Sequence, residues 1–143
     1  MIYTMLGNYD QTKAGKPEGY FAERHCFIDY RGDLIIHPES YWGFGIKVIT
    51  QSHSIEGGWF HPVAEDRHVW VDDQAWICSF AILYNCHIQH HAIVSIGAVV
   101  KNLVVPPYHI ASGNPARLTQ FWDGKKWQKL PIMEIEHELK MGE

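Results

Sequence analysis

Ala98–Arg117 reads AVVKNLVVPPYHIASGNPAR, an apolar run with one cation, then a Pro106-Pro107 pair and a Gly-Asn-Pro turn. Its apolar residues continue a pattern that begins far upstream. Counting back from Val100, Val94 and Ile88 stand at six-residue steps. Leu83, Ile77 and Val71 repeat the step, and so do Val48, Trp42 and Ile36. A period of six is neither the 3.6 of an amphipathic helix nor the 2 of a strand backed by solvent. It predicts a solenoid whose short strands meet at corners, with one inward aliphatic residue per face and three faces to a coil of about 18 residues. The step from Leu83 to Ile88 is five instead of six. A shortened turn there distorts one corner locally and leaves the helix intact.

Three linked segments resemble the hexapeptide-repeat acyltransferases, in particular the sugar O-acetyltransferases of the maltose, galactoside and capsule or O-antigen type. IDYRGDLIIHPESYWGFGIKVITQSHSIEGG (28–58) is similar to their opening coils, VWVDDQAWICSFAILYNCHIQHHAIVSIGAVV (69–100) to their last two coils, and PPYHIASGNPAR (106–117) to their ending, with one residue more than usual between Val100 and the prolines. The resemblance implies an all-β, left-handed parallel β-helix. The periodicity alone admits a right-handed one equally.

The chain has 143 residues and 46% hydrophobic content, which suits one domain with one core. A net charge of −4 without any Lys/Arg run argues against a nucleic-acid partner. No basic-then-apolar leader opens the chain, and no apolar run approaches the ~20 residues of a membrane span, so a cytoplasmic protein is expected. Cys26, Cys78 and Cys86 are odd in number and lack CxxC spacing, as expected for reduced thiols in a cytosol.

The expected organisation is an N-terminal arm or cap (1–27), a β-helix (28–105) and a C-terminal tail (106–143). IEGGWFHPVAEDRH (55–68) interrupts the six-residue step with a Gly pair, a Pro and charges, and reads as a loop extruded between coils. In the tail, Asp123-Gly124 between aromatic residues predicts a tight hairpin. MEIEHELKMGE (133–143) is too short and charged for a helix on its own, although Ile132, Ile135 and Leu139 supply one apolar stripe.

The candidate chemistry centres on His53. Thr50-Gln51-Ser52-His53-Ser54-Ile55 resembles the family's T-x-S-H-D-I, in which the His precedes the extruded loop. Moving an acetyl group from a thioester to a hydroxyl requires a base for the hydroxyl proton, and neutral imidazole, with an ordinary pKa of about 6.5, suits that task. Its ring needs an orienting partner. Glu56 lies too close in sequence, whereas Asp29 and a backbone carbonyl are equally open. Most of the ten histidines, including His61, His68, His87, His90, His91, His109 and His137, match no family role.

The resemblance implies further roles. Asp29, in IDYRGDLII, stands where an acidic residue binds acceptor hydroxyls, and the residues themselves allow a turn-satisfying Asp as readily. Trp76 matches a Trp beside the donor groove and reads equally as a core or interface aromatic. Tyr84 and Asn85 are further acceptor-side candidates. Acetyl-CoA is the implied donor, lying between subunits of a homotrimer. Ser79, Ile96 and Gly97 match donor-contacting segments, and Lys101 and Arg117 are the cationic candidates for its phosphates, with Lys101-Asn102 in place of the usual Thr-Lys. The implied acceptor is a sugar or similar small hydroxyl compound, and no metal is expected.

The alternative is a γ-carbonic-anhydrase-like or non-catalytic β-helix. CSFAILYNCHI (78–88) is similar to the metal-bearing coil of those anhydrases. Aligned on Cys86, however, the two metal-binding His positions hold Ser79 and Tyr84, neither of which replaces imidazole on zinc.

Overall fold

The computed structural model describes residues 4–6, by backbone alone, and 24–131. The rest of the expected N-terminal arm, the stripe of Ile132, Ile135 and Leu139, and His137 lie outside the described residues. Strands β1 (Thr4–Leu6), β2 (Phe27–Asp29), β3 (Asp33–Ile36), β4 (Tyr41–Trp42) and β5 (Lys47–Ile49) precede a hairpin of β6 (Gln51–His53) and β7 (Ala64–Asp66). β8 (His68–Val71), β9 (Trp76–Ile77), β10 (Ile82–Ile88), β11 (Ile93–Val94), β12 (Val99–Val105) and β13 (His109–Gly113) follow. β14 (Ala116–Trp122) and β15 (Trp127–Lys129) end the described chain.

Parallel stacking of successive coils builds the solenoid. One sheet runs β1-β2-β5-β10-β8-β3, with β12 on the other edge of β10. The second runs β4-β9-β11-β13 and is extended by β14 and β15, which pair antiparallel. The inward residues stack in register as the six-residue pattern requires: Ile36 on Val71 on Ile88 on Val105, Trp42 on Ile77 on Val94 on Ala111, and Val48 on Leu83 on Val100. All of them are buried and belong to one continuous core. Each adds a layer of aliphatic burial that only the neighbouring coil can complete. Cys86 lies in this core, where burial pushes its thiol up to about 12.

The coil is seventeen residues long, not about 18, since Leu83 pairs with Val100 and Ile88 with Val105. The five-residue step expected as a single local distortion therefore recurs, as Val100 to Val105. Its cause is a third kind of corner. At the first corner Gln74, His91 and Tyr108 have φ of 59°, 59° and 60°, and at the second Gly45, Phe80 and Gly97 have 64°, 66° and 68°. At the third, Asn85 and Asn102 take φ of 45° and 54°, a region that Asn tolerates better than other side-chain-bearing residues. Asn85 Nδ2 donates to Asn102 Oδ1 at 2.8 Å, so the short corner is stacked like the aliphatics. β10 and β12 run through it as single seven-residue strands.

Asp123 shapes the last hairpin by accepting from the backbone N–H groups of Lys125 and Lys126 at 2.8 and 2.9 Å and from Gln128 Nε2 at 2.7 Å. Gly124 beside it has φ 99°. Among the described residues no helix is long and apolar enough to cross a membrane.

Candidate functional site

Parallel pairing with the next coil ends at Ile49, and antiparallel pairing begins at Gln51, earlier than the sequence pattern suggested. Gln51–His53 pairs antiparallel with Ala64–Asp66 and with no other described strand, so His53 stands on a hairpin arm. Arg67 N–H donates to the Thr50 carbonyl at 2.7 Å and closes the root of the hairpin. Beneath this root lies a polar knot. The Thr50 hydroxyl donates to the Asp29 carbonyl (3.0 Å) and accepts from Gly32 N–H (2.9 Å), while Thr50 N–H donates to Asp29 Oδ2 (3.2 Å). Gly32 is required here, because a Cβ would collide with the Thr50 carbonyl.

Asp29 is fully buried. Arg31 caps it through Nε at 2.9 Å and Nη2 at 3.1 Å, with its own N–H on Oδ1 at 3.1 Å. Burial alone would raise the Asp29 carboxyl, but the Arg31 and Thr50 hydrogen bonds outweigh it and hold it below the ordinary carboxylate range. Both carboxylate oxygens are thus engaged within the protein, and the residue fixes the hairpin root.

A polar cleft of about 860 Å³ opens beside the hairpin. His53, Tyr84, Asn85 and Lys101 line it together, although Lys101 was expected among the donor-binding residues. His53 is exposed, and its Nδ1–H donates to the His61 carbonyl at 3.0 Å, which fixes the tautomer and leaves the Nε2 lone pair available. The Phe60 ring packs tilted against the same imidazole, centroids 4.7 Å apart, and His61 Nε2–H donates in turn to the Glu56 carbonyl at 2.7 Å. The orienting group that the sequence left open between Asp29 and a backbone carbonyl is the carbonyl.

The cleft also contains residues that sequence reasoning missed. Arg67 Nη2 pairs with Glu65 at 2.6 Å, Nη1 donates to the Asp66 carbonyl at 3.0 Å, and the guanidinium reaches the Tyr84 hydroxyl, tying the hairpin to β10. The Glu65 carboxylate holds the Arg67 pKa above its ordinary value. His68 Nδ1–H donates to Asp33 Oδ2 at 2.5 Å, a pairing across thirty-five residues with no local signal. Asn102 alone was readable, one coil after Asn85.

Trp76, Ser79 and Ile96 come together elsewhere. They line a separate groove of about 490 Å³ with Arg24, Tyr41, Phe44 and Cys78. Trp76 is about half exposed and thus not a core residue, and Ile96 is more exposed still. Ser79 Oγ accepts from Phe44 N–H at 3.0 Å. Gly97 turns the corner after Ile96, and Arg117 sits on β14, half-buried, so neither it nor Asp29 lines either hollow. Among the described residues no group of three or more His, Cys, Asp or Glu is arranged to hold a metal ion. Ser79 and Tyr84 fall in different hollows.

No protein-family model and no curated protein matches the sequence. Solved structures do match. A maltose O-acetyltransferase from Clostridium difficile 630 superposes with a TM-score of 0.50 at 20% identity, over 68% of this chain and 48% of that one. A hexapeptide-repeat acetyltransferase from Vibrio cholerae gives 0.51 at 22% identity, over 68% and 51%. A galactoside acetyltransferase in complex with coenzyme A gives 0.50 at 13% identity, over 83% and 48%. The chain has the fold of the hexapeptide-repeat acetyltransferases. It spans about half the length of the solved structures it matches.

Proposed function

We propose that this protein transfers an acetyl group from acetyl-CoA to a hydroxyl of a sugar or similar small acceptor, with His53 as general base. The observation that carries the reading is the His53 imidazole in its polar cleft, its Nδ1–H committed to the His61 carbonyl and its Nε2 lone pair left for a proton. In the reaction Nε2 takes the acceptor hydroxyl proton as that oxygen attacks the thioester carbonyl carbon. The C–S bond then breaks, and the imidazolium returns its proton to the leaving thiolate. Tyr84, Asn85, His68 and Arg67 line the same cleft and supply donors and acceptors for hydroxyl groups. Asp29 enters this reading as a positioning residue, through Thr50 and the hairpin root.

The donor fits the second groove. Trp76, Phe44 and Ile96 give an apolar wall for a pantetheine arm, Ser79 adds a hydroxyl, and the backbone at Gly97 lies at the corner beside them. Arg117 and Lys101 are the cations assigned to the phosphates. Cleft and groove lie apart on one protomer, which favours a homotrimer whose neighbouring subunits join them. The left-handed sense of winding and the placement of the β6–β7 loop outside the solenoid belong to the same proposal. Three unpaired cysteines, two of them buried, favour a reducing cytoplasmic setting.

Thiol release from acetyl-CoA across a panel of sugar and hydroxyl acceptors tests the reading. Activity should appear with at least one acceptor, light scattering should give a trimer, and His53→Ala should lower turnover about 10² to 10⁴-fold with an unchanged melting curve. A variant that keeps more than about half of the wild-type turnover excludes His53 as the base.

A further inference from the structure

Two histidines with no part in the acetyl-transfer reading meet at the first corner of the solenoid. His90 and His91 are the only adjacent histidines in the chain. Their Nδ1 atoms lie 3.1 Å apart with the ring planes at 88°, so one Nδ1–H donates to the other nitrogen. Successive side chains of a strand point to opposite faces, and the left-handed backbone at His91, with φ 59°, breaks that alternation. The turn is closed by Ala92 N–H on the Gln89 carbonyl at 3.1 Å and by His91 N–H on the Asp73 carbonyl at 3.4 Å. Tyr108, one coil on at the same corner, lies parallel to the His91 ring (centroids 4.8 Å, 9°) and edge-on to His90 (5.6 Å, 90°). Backbone and neighbouring coil thus hold both rings before any ligand arrives.

We infer that His90 and His91 bind a divalent ion of the class that prefers imidazole, Zn²⁺, Ni²⁺ or Cu²⁺, through both Nδ1 atoms. Zn–N bonds of about 2.0 to 2.1 Å put two nitrogens on one ion about 2.9 Å apart at a right angle and about 3.3 Å apart at the tetrahedral angle. The observed separation falls between these values. The ion takes the place of the shared hydrogen. The donating ring carries that hydrogen on Nε2 instead, and both neutral imidazoles then turn an Nδ1 lone pair to the metal. His91 is exposed and His90 half-buried, which leaves the ion an open approach. The third ligand stands one coil below. Asp73 precedes His90 by one seventeen-residue coil, a strand spacing of ~4.8 Å along the stack. Its half-buried carboxylate has no partner among the described residues. As they stand the three groups are not gathered around one point, so Asp73 joins by side-chain rotation and water fills the remaining positions. Neither histidine lines the cleft or the groove, and the site is independent of the chemistry proposed there. An ion so held ties neighbouring coils together at their corner.

Calorimetry of the full chain, untagged and first stripped with a chelator, tests the site with Zn²⁺ and Mg²⁺ as probes. The wild type should bind Zn²⁺ with a dissociation constant below about 100 µM and should not take up Mg²⁺, which prefers oxygen ligands. His90→Gln and His91→Asn should each weaken Zn²⁺ at least about tenfold, since each leaves a single ring nitrogen. Asn suits the left-handed backbone at position 91, and melting curves in chelator report the fold of both variants. Zn²⁺ should raise the melting midpoint of the wild type and leave that of both variants in place. Asp73→Asn should weaken Zn²⁺ by a smaller factor, about threefold, and unchanged affinity there overturns the third ligand. Wild-type Zn²⁺ binding weaker than about 100 µM, or equal binding of Mg²⁺, overturns the inference. So does an unchanged Zn²⁺ affinity in either histidine variant, which would show that other imidazoles of the chain take the ion.

Discussion

Within the coils nearly every buried position has a counterpart seventeen residues on; within the β6–β7 hairpin no position has one. Leu83 is held from both sides by Val48 and Val100, and its contacts are copies of those one coil away. His53 is held by one carbonyl and one phenyl ring, both supplied by its own hairpin. Repetition makes stability collective, and its absence makes chemistry local. The largest effect should therefore come from a coil residue that touches no substrate. Leu83→Ala removes a fully buried side chain between two layers and should cost about 3 to 4 kcal/mol, read as a lower urea midpoint with an unchanged slope. A loss under about 1 kcal/mol would mean that neighbouring coils collapse onto the gap and are not the rigid stack described.

Asp29 sits at the junction of the two regions. Asp29→Asn keeps the shape and removes the charge that Arg31 and the Thr50 N–H rely on, at an expected cost of about 2 kcal/mol at neutral pH. The pH dependence follows from the direction of its shift. The folded carboxyl lies below its ordinary value of 3.8, so its contribution is fully present above that pH and is lost as pH falls through the folded value. Wild type and variant should differ most at neutral pH and converge in strong acid. Parallel stability curves over that range would remove Asp29 from the junction.

The same contrast explains what the sequence made legible. Ile36, Trp42, Val48, Val71, Ile77, Leu83, Ile88, Val94 and Val100 could be read as one core because an inward position repeats at a fixed interval whatever occupies it. The seventeen-residue coil was present in the same numbers, since Leu83 to Ile88 and Val100 to Val105 are equal steps, and Asn85 and Asn102 mark the corner that shortens them both. His53, Tyr84 and Asn85 were separate candidates by resemblance, and only the folded chain brings them around one cleft. The pairing of Asp33 with His68 and the clasp of Arg67 on Glu65 and Tyr84 were not legible, because they depend on where a non-repeating hairpin folds back. For the same reason Gln51–His53 was read as coil. A three-residue strand looks alike in either setting until its partner is known.

The smallest effect tests whether the hairpin is a separate unit. Arg67 joins Glu65, the Asp66 carbonyl and the Tyr84 hydroxyl, yet its guanidinium and the Glu65 carboxylate are both partly in solvent, where such pairs contribute little. Arg67→Ala should change global stability by under about 0.5 kcal/mol, because an ion pair this exposed contributes little. It should nevertheless loosen the hairpin, whose loop from Ile55 to Val63 buries no residue and whose remaining ties to the coils include the Arg67 N–H on Thr50, its other hydrogen bonds, such as Gln51 to Asp66 and His53 to His61, lying within the hairpin itself. Protease cutting within that loop should then rise several-fold while the melting curve stays in place, as expected when opening is local rather than global. If instead the melting transition falls by more than about 1 kcal/mol, the hairpin unfolds together with the coils, and the division between a collective scaffold and a local site is wrong at its root.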